Sequence, residues 1–198
     1  MPPMKPIINI TWEYPPWVVG SMSQELKRAL PPAAKSFPIS LVVRGDGDGV
    51  TELDGMMVYT VAQSVRDSPH VLAHAHALNI DLLRGACNAY HDAGGAQLIH
   101  THDWVSSLAG AYLSANTGVP LAVSIYTTEV QRAGGLPSLF SMAIFDIERY
   151  CLSRAKWVIA VNEVAALRLT KEYTVPPSKL ISCKGSLATA YKRMGVSR

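Results

Sequence analysis

Short apolar runs alternate with segments of helical period about six times along this chain. No other feature constrains the fold as strongly. A strand, a helix and a further strand in succession read as a crossover unit of a parallel sheet, with helices covering the faces. The strand-like runs are residues 7–12, 39–44, 56–61, 97–101, 121–126, 157–161 and 180–183. Between them, apolar residues recur at helical spacing over 22–30, 68–93, 106–117, 139–153 and 162–172. The expectation is one Rossmann-like α/β domain over residues 1–198, a doubly wound, mainly parallel sheet with helices on both faces.

Local signals place the boundaries. Ser21 with Gln24 three residues later is a capping-box pattern, and Pro31-Pro32 predicts the end of that helix. Gly45-Asp46-Gly47-Asp48-Gly49 reads as a turn-rich loop. Ser68-Pro69 predicts a helix start, Gly94-Gly95 its end, and Gly118 the end of the next helix. Asn162 is a helix cap, and Pro176-Pro177 a break.

Hydrophobic residues make up 48% of the chain and charged ones 17%, which is the balance of a globular domain and not of a disordered one. The net charge of +3 comes without a basic stripe, so a nucleic-acid partner is not expected. Cys87, Cys151 and Cys183 are too few and too far apart for a disulfide scaffold or a metal framework. They read as free thiols in a reducing compartment. No leader-like segment and no membrane-length apolar run is apparent, so a soluble, cytoplasmic protein is expected.

The unusual residues gather in loops that follow strands, where open parallel sheets bind ligands. Gly20-Ser21-Met22-Ser23 lies at a helix N-terminus, where backbone N–H groups favour an anion, although serines there are also ordinary caps. His100 and His102 point to one face of a strand, and Asp103 and Trp104 follow. A His-x-His pair can hold a metal, but the further ligands of such a site are missing, so hydrogen bonding is the expected use and no metal or cofactor is predicted. Glu129 and Arg132, beyond the strand that ends near Tyr126, could grip hydroxyls or a phosphate, or form a surface ion pair. Trp12, Trp17 and Trp104 could stack on sugar rings or lie buried.

Taken together, these loops resemble the N-terminal domain of glycogen and starch synthases and related retaining glycosyltransferases of the two-Rossmann-domain (GT-B) type. The resemblance rests on Trp12-Glu13-Tyr14-Pro15-Pro16 with Val18-Val19-Gly20, on His102-Asp103-Trp104, on Thr128-Glu129 with Arg132, and on Val158-Ile159-Ala160-Val161-Asn162. It implies a nucleotide-sugar donor, ADP- or UDP-glucose, and an α-glucan acceptor. It implies contact of His102 with the transferred sugar and of Gly20 and Ser21 with donor phosphates. Glu13, Tyr14, Asp103, Trp104, Tyr126, Glu129 and Arg132 fall in its substrate-binding loops.

Departures bear on activity. Ser21 replaces the second glycine of the loop, Tyr126 stands where a histidine is frequent, and Lys184-Gly185-Ser186-Leu187 is a poor match to the element that leads into the second domain. The donor-site domain does not appear within the 198 residues. The expectation is a half-enzyme, inactive without a C-terminal domain or a separate partner that supplies one. A non-catalytic carbohydrate-binding or regulatory domain and a metal-dependent hydrolase built on His100, His102 and Asp103 are the alternatives.

Overall fold

The computed structural model describes residues 4–66, 68–182 and 186–197. Cys183, Lys184 and Gly185, to which a strand end and a family element were assigned, lie outside the described residues. Eight strands form one sheet in the order β3-β4-β2-β1-β5-β6-β7-β8. They are β1 (Ile7–Thr11), β2 (Ile39–Gly45), β3 (Gly49–Leu53), β4 (Met56–Ala62), β5 (Leu98–His102), β6 (Leu121–Ile125), β7 (Trp157–Ala160) and β8 (Leu180–Ser182). All pairings are parallel except β3 with β4. The doubly wound expectation holds.

Helices cover both faces. On one lie α2 (Val71–Asp92), α3 (Trp104–Thr117), α5 (Leu139–Arg154) and α6 (Glu163–Tyr173), packed on Ile8, Ile10, Ile99 and Val123. On the other lie α1 (Met22–Ala34) and α7 (Leu187–Arg193), packed on Ile7, Leu41, Leu98 and Ala122. Alternate residues of each strand thus feed two separate cores, which is why the strands read as continuous apolar runs. A single turn, α4 (Glu129–Arg132), lies between β6 and α5.

Four boundaries differ from expectation. Gly49–Leu53, to which the sequence reading assigns only a loop ending at Gly49, is a strand because Asp54 and Gly55 (φ 53° and 76°) turn the chain back into β4. That Asp-Gly pair is the hairpin signal in the sequence. Helix α1 runs through Pro31 and Pro32 to Ala34. The prolines fall in its last turns and Pro32 is exposed, so solvent can serve the carbonyls they leave unbonded. Helix α2 starts at Val71, two residues beyond Ser68-Pro69, while α3 starts at Trp104, two before the expected 106. Ser21 makes no side-chain cap on α1.

Candidate functional site

The sheet order reverses between β1 and β5: the chain winds from β1 toward β2 on one side and resumes at β5 on the other. Ligands of open α/β sheets bind at such a switch point, beyond the carboxyl ends of the strands. Thr11 is paired with His102 across this seam. The loop after β1 and the His-Asp-Trp loop therefore emerge side by side, joined by the loop after β6.

The cap missing at Ser21 comes from Glu13. Its buried carboxylate accepts hydrogen bonds from the backbone N–H groups of Val19 (2.7 Å), Gly20 (2.5 Å) and Ser23 (3.2 Å). The anion position at the head of α1 is thus filled by the loop's own carboxylate, and the Gly20 N–H expected to meet a phosphate is engaged. Tyr14, expected at the substrate, is fully buried and belongs to the core under α1. Burial and the nearby Asp54 push its hydroxyl up to about 12.

His100 and His102 lie in a buried polar network on the α1/α7 face. His102 Nε2 is 2.9 Å from Asn9 Oδ1, and its Nδ1 is 3.2 Å from the Tyr126 hydroxyl. His100 Nδ1 is 2.9 Å from the Tyr191 hydroxyl and its Nε2 2.8 Å from Ser124 Oγ. Tyr191 also donates to Asn9 Oδ1 (2.9 Å). An amide oxygen only accepts, so His102 carries its proton on Nε2 and accepts from Tyr126 at Nδ1. The two rings stack at 4.0 Å between centroids. Burial holds His102 down to about 3, and burial together with His102 holds His100 well below its ordinary value. Both are neutral at pH 7. All four ring nitrogens are partnered by protein groups, and among the described residues no group of three metal-ligating side chains converges.

One residue further on, the chain points the other way. Asp103 has φ 67° and ψ 163°, a region almost reserved for glycine that costs about 1–3 kcal/mol. Its N–H bonds the Ser124 carbonyl (2.8 Å), and its Oδ1 accepts from the Trp104 N–H (2.8 Å), capping α3. Burial pushes Asp103 up to about 6 against the pull of Arg132, whose guanidinium lies 3.9 Å away, and of the Trp104 N–H.

Arg132 is the hub of this side. It meets Glu129 Oε2 through Nε (3.2 Å) and Glu148 Oε1 (2.8 Å), and it donates to the Thr127 carbonyl. Burial opposes its charge, but Asp103, Glu148 and Glu129 together outweigh burial and raise its pKa. Glu148 is fully buried and also accepts from the Glu129 N–H (3.1 and 3.0 Å to its two oxygens) and the Tyr173 hydroxyl. Burial nonetheless leaves Glu148 raised. The Glu129–Arg132 pair, read in the sequence as a grip on hydroxyls or phosphate or as a surface ion pair, is therefore part of a four-group cluster in which Glu129 and Glu148 are buried and the guanidinium reaches the surface.

Two clefts flank the His102-Asp103 step. One, about 260 Å³, is lined by Glu25, Arg28, His102, Ser124, Tyr126 and Leu187. The other, about 530 Å³, is lined by Trp12, Asp103, Trp104, Glu129, Arg132 and Phe140 among others. Trp104 is buried yet walls this cleft, and Trp12 is half-buried with Arg44 over its ring at 5.7 Å. A larger groove of about 670 Å³ lies near the β3–β4 hairpin and the C-terminus of α2, lined by Met4, Val50, Tyr59 and Asp92. It contains none of the residues singled out in the sequence.

Residues 24–182 match the family model for Glycosyltransferase Family 4. The chain belongs to Glycosyltransferase Family 4. It is 27% identical over 176 residues to an uncharacterized glycosyltransferase of Methanocaldococcus jannaschii, covering 88% of this chain and 44% of that relative. In fold it is similar to sucrose-phosphate synthase from Thermosynechococcus elongatus, with a TM-score of 0.71, 17% identity, and coverage of 90% of this chain and 47% of that one. It is also similar to an Arabidopsis thaliana UGT complexed with UDP, with a TM-score of 0.62, 8% identity, and coverage of 92% and 53%. The chain spans about half the length of these family relatives and neighbours. It has the architecture of one half of a GT-B glycosyltransferase. Among the described residues no helix is long and apolar enough to cross a membrane.

Several residues of this candidate site were missed in the sequence. Glu148 carried a readable signal: it is a charge on a helix face whose neighbours Ile144, Cys151 and Leu152 are all buried. Asn9, Ser124 and Tyr191 carried none, because an isolated polar residue in an apolar stretch does not reveal which histidine it will meet.

Proposed function

We propose that this chain is the acceptor-side half of a transferase that moves a glucosyl group from a nucleotide-sugar to an acceptor hydroxyl, working with a donor-site half. ADP- or UDP-glucose as donor and an α-glucan as acceptor are what the sequence resemblance implies, in the reducing, cytoplasmic setting that the unpaired Cys87 and Cys151 suit. The observation that carries the reading is the convergence of the loops after β1, β5 and β6 at the switch point, with His102 in one cleft and Asp103 in the other.

In transfer, the bond from the sugar C1 to the diphosphate oxygen breaks, a bond from C1 to the acceptor oxygen forms, and the acceptor proton leaves with the departing diphosphate. His102, neutral and held by Asn9, positions a sugar hydroxyl and does not trade protons. Its 3.2 Å contact to Tyr126 is the longer of its two and is the one a sugar hydroxyl would replace. Asp103 and Trp104 face the acceptor. A donor phosphate at Gly20 and Ser21 would have to displace the Glu13 carboxylate.

Nucleotide diphosphate release is the test, measured on the protein that carries this chain with UDP-glucose and ADP-glucose in turn. Acceptor-dependent release that falls about 10- to 100-fold in His102→Ala is expected, the effect of losing one positioned hydrogen bond in a buried site. Wild-type release in His102→Ala removes the role of His102. No release with either donor, together with saturable carbohydrate binding, leaves a non-catalytic binding domain.

A further inference from the structure

The cleft beside Asp103 is walled mainly by carbon. Trp104, Phe140, Ile144 and Val71 line it, and Phe140 and Val71 are 41% and 53% exposed. The chain around Phe140 continues this character: Leu136, Leu139 and Met142 are exposed, Leu139 at 84%. Apolar surface of this extent beside a cleft marks contact with something apolar.

The polar groups on the same walls are few. Arg132 is engaged by Glu129, Glu148 and Thr127, so it is not a loose cation awaiting a phosphate. Asp103, Glu129 and Glu148 stand against that single guanidinium, and their combined field repels an anionic acceptor. His74 and Ser141 line the cleft as well, and Asp103 offers it an unused acceptor. Asp103 uses one carboxylate oxygen on Trp104 and has no hydrogen bond to the other among the described residues. A carboxylate oxygen that lacks a donor complements a hydroxyl, which can supply one. A glucan chain lays its hydroxyl-bearing rings along the apolar walls themselves, where each hydroxyl buried without a partner costs about 1–3 kcal/mol, whereas a single polar head on an apolar tail keeps its other hydroxyls in solvent.

We propose that the acceptor is an uncharged alcohol carried on an apolar body, seated with its hydroxyl at Asp103 and its body on Trp104, Phe140 and Ile144. The proposal rests on the reading of the chain as an acceptor-side half, but its test needs no donor. Tryptophan fluorescence reports the cleft directly, because Trp12 and Trp104 line it. The chain is titrated with n-octyl β-D-glucoside below its micellar concentration, with maltoheptaose and with glucose 6-phosphate. A saturable response to octyl glucoside alone is expected, weakened about ten-fold in Phe140→Ser, a change at a partly exposed site that removes apolar contact. Circular dichroism and thermal melting confirm that the variant is folded. Tighter or equal binding of maltoheptaose or of glucose 6-phosphate overturns the proposal. So does an octyl glucoside response that is absent, unsaturable or indifferent to Phe140→Ser. Octyl glucoside binding without nucleotide release in the complete protein defeats the transferase reading alone; release stimulated by maltoheptaose defeats the acceptor class alone.

Discussion

His102 shows how one side chain links stability to pH. Its folded pKa is about 3, below the ordinary 6.5, so the unfolded chain binds a proton that the folded one refuses. The stability it permits is complete above 6.5 and is lost as pH falls from 6.5 toward 3. Asp103 acts with the opposite sign: its folded pKa of about 6 lies above the ordinary 3.8, so its contribution is lost as pH rises from about 4 to 6. The two partly cancel in the wild type, and a difference measurement separates them. Between pH 7 and pH 5 the wild type is expected to lose about 2 kcal/mol more than His102→Gln in urea denaturation, one neutral histidine's share over that span. Parallel curves would mean that His102 takes up a proton inside the fold.

At the scale of elements, two glycines set how closely helices lie on the sheet. A Cβ at Gly110 in α3 would come within 2.1 Å of Thr101 Cγ2 and 3.2 Å of Ile99 Cγ2 on β5. A Cβ at Gly85 in α2 would meet Val61 Cγ1 at 2.4 Å and Val42 Cγ1 at 2.9 Å. In an exposed helix, glycine to alanine stabilises by about 1 kcal/mol. At Gly110 overpacking costs about 1–3 kcal/mol and reverses that sign. Gly110→Ala is therefore expected to lose about 1–2 kcal/mol in chemical denaturation, and a gain would mean that α3 can lift from β5 freely. Neither glycine was distinguishable from a helix weakness in the sequence, since the space it occupies belongs to another element. The same holds for the head of α1. Ser21 and Gln24 have the residue types of a capping box, but Glu13, brought back by its loop, reaches the N–H groups first. Strand β3 was the reverse case, since its Asp54-Gly55 turn was written in the sequence beside a glycine-rich loop that masked it.

For the whole molecule, the Arg132 cluster ties four parts together: the loop after β5 through Asp103, α4 through Glu129, α5 through Glu148, and the end of α6 through Tyr173. Arg132→Met would leave three carboxylates facing one another with Glu148 fully buried. A loss of about 2–3 kcal/mol is expected once the partial exposure of Arg132 is allowed for. Part of it should return as pH is lowered through about 6, where Asp103 takes up a proton. Thermal melting of the variant at pH 7.5 and 5.5 measures this; a deficit unchanged by pH would make Arg132 a packing residue only.

What the sequence determined by itself was the kind of fold and the loops that form the candidate site. Strand-helix alternation requires crossovers, crossovers require a parallel sheet with covered faces, and such a sheet binds at the carboxyl ends of its strands. The loops with Glu13, His102, Asp103, Glu129 and Arg132 were identifiable because polar and aromatic residues after apolar runs are unusual. Tertiary structure alone decided what each does there. Glu13 spends its charge on the backbone of α1, and Tyr14 serves the core. His102 and Asp103, adjacent in the chain, face two different clefts because successive residues at a strand's end point to opposite faces. Their partners, Asn9 for His102 and Arg132 for Asp103, lie 93 and 29 residues away, and no local pattern announces a contact that only the winding of the sheet creates.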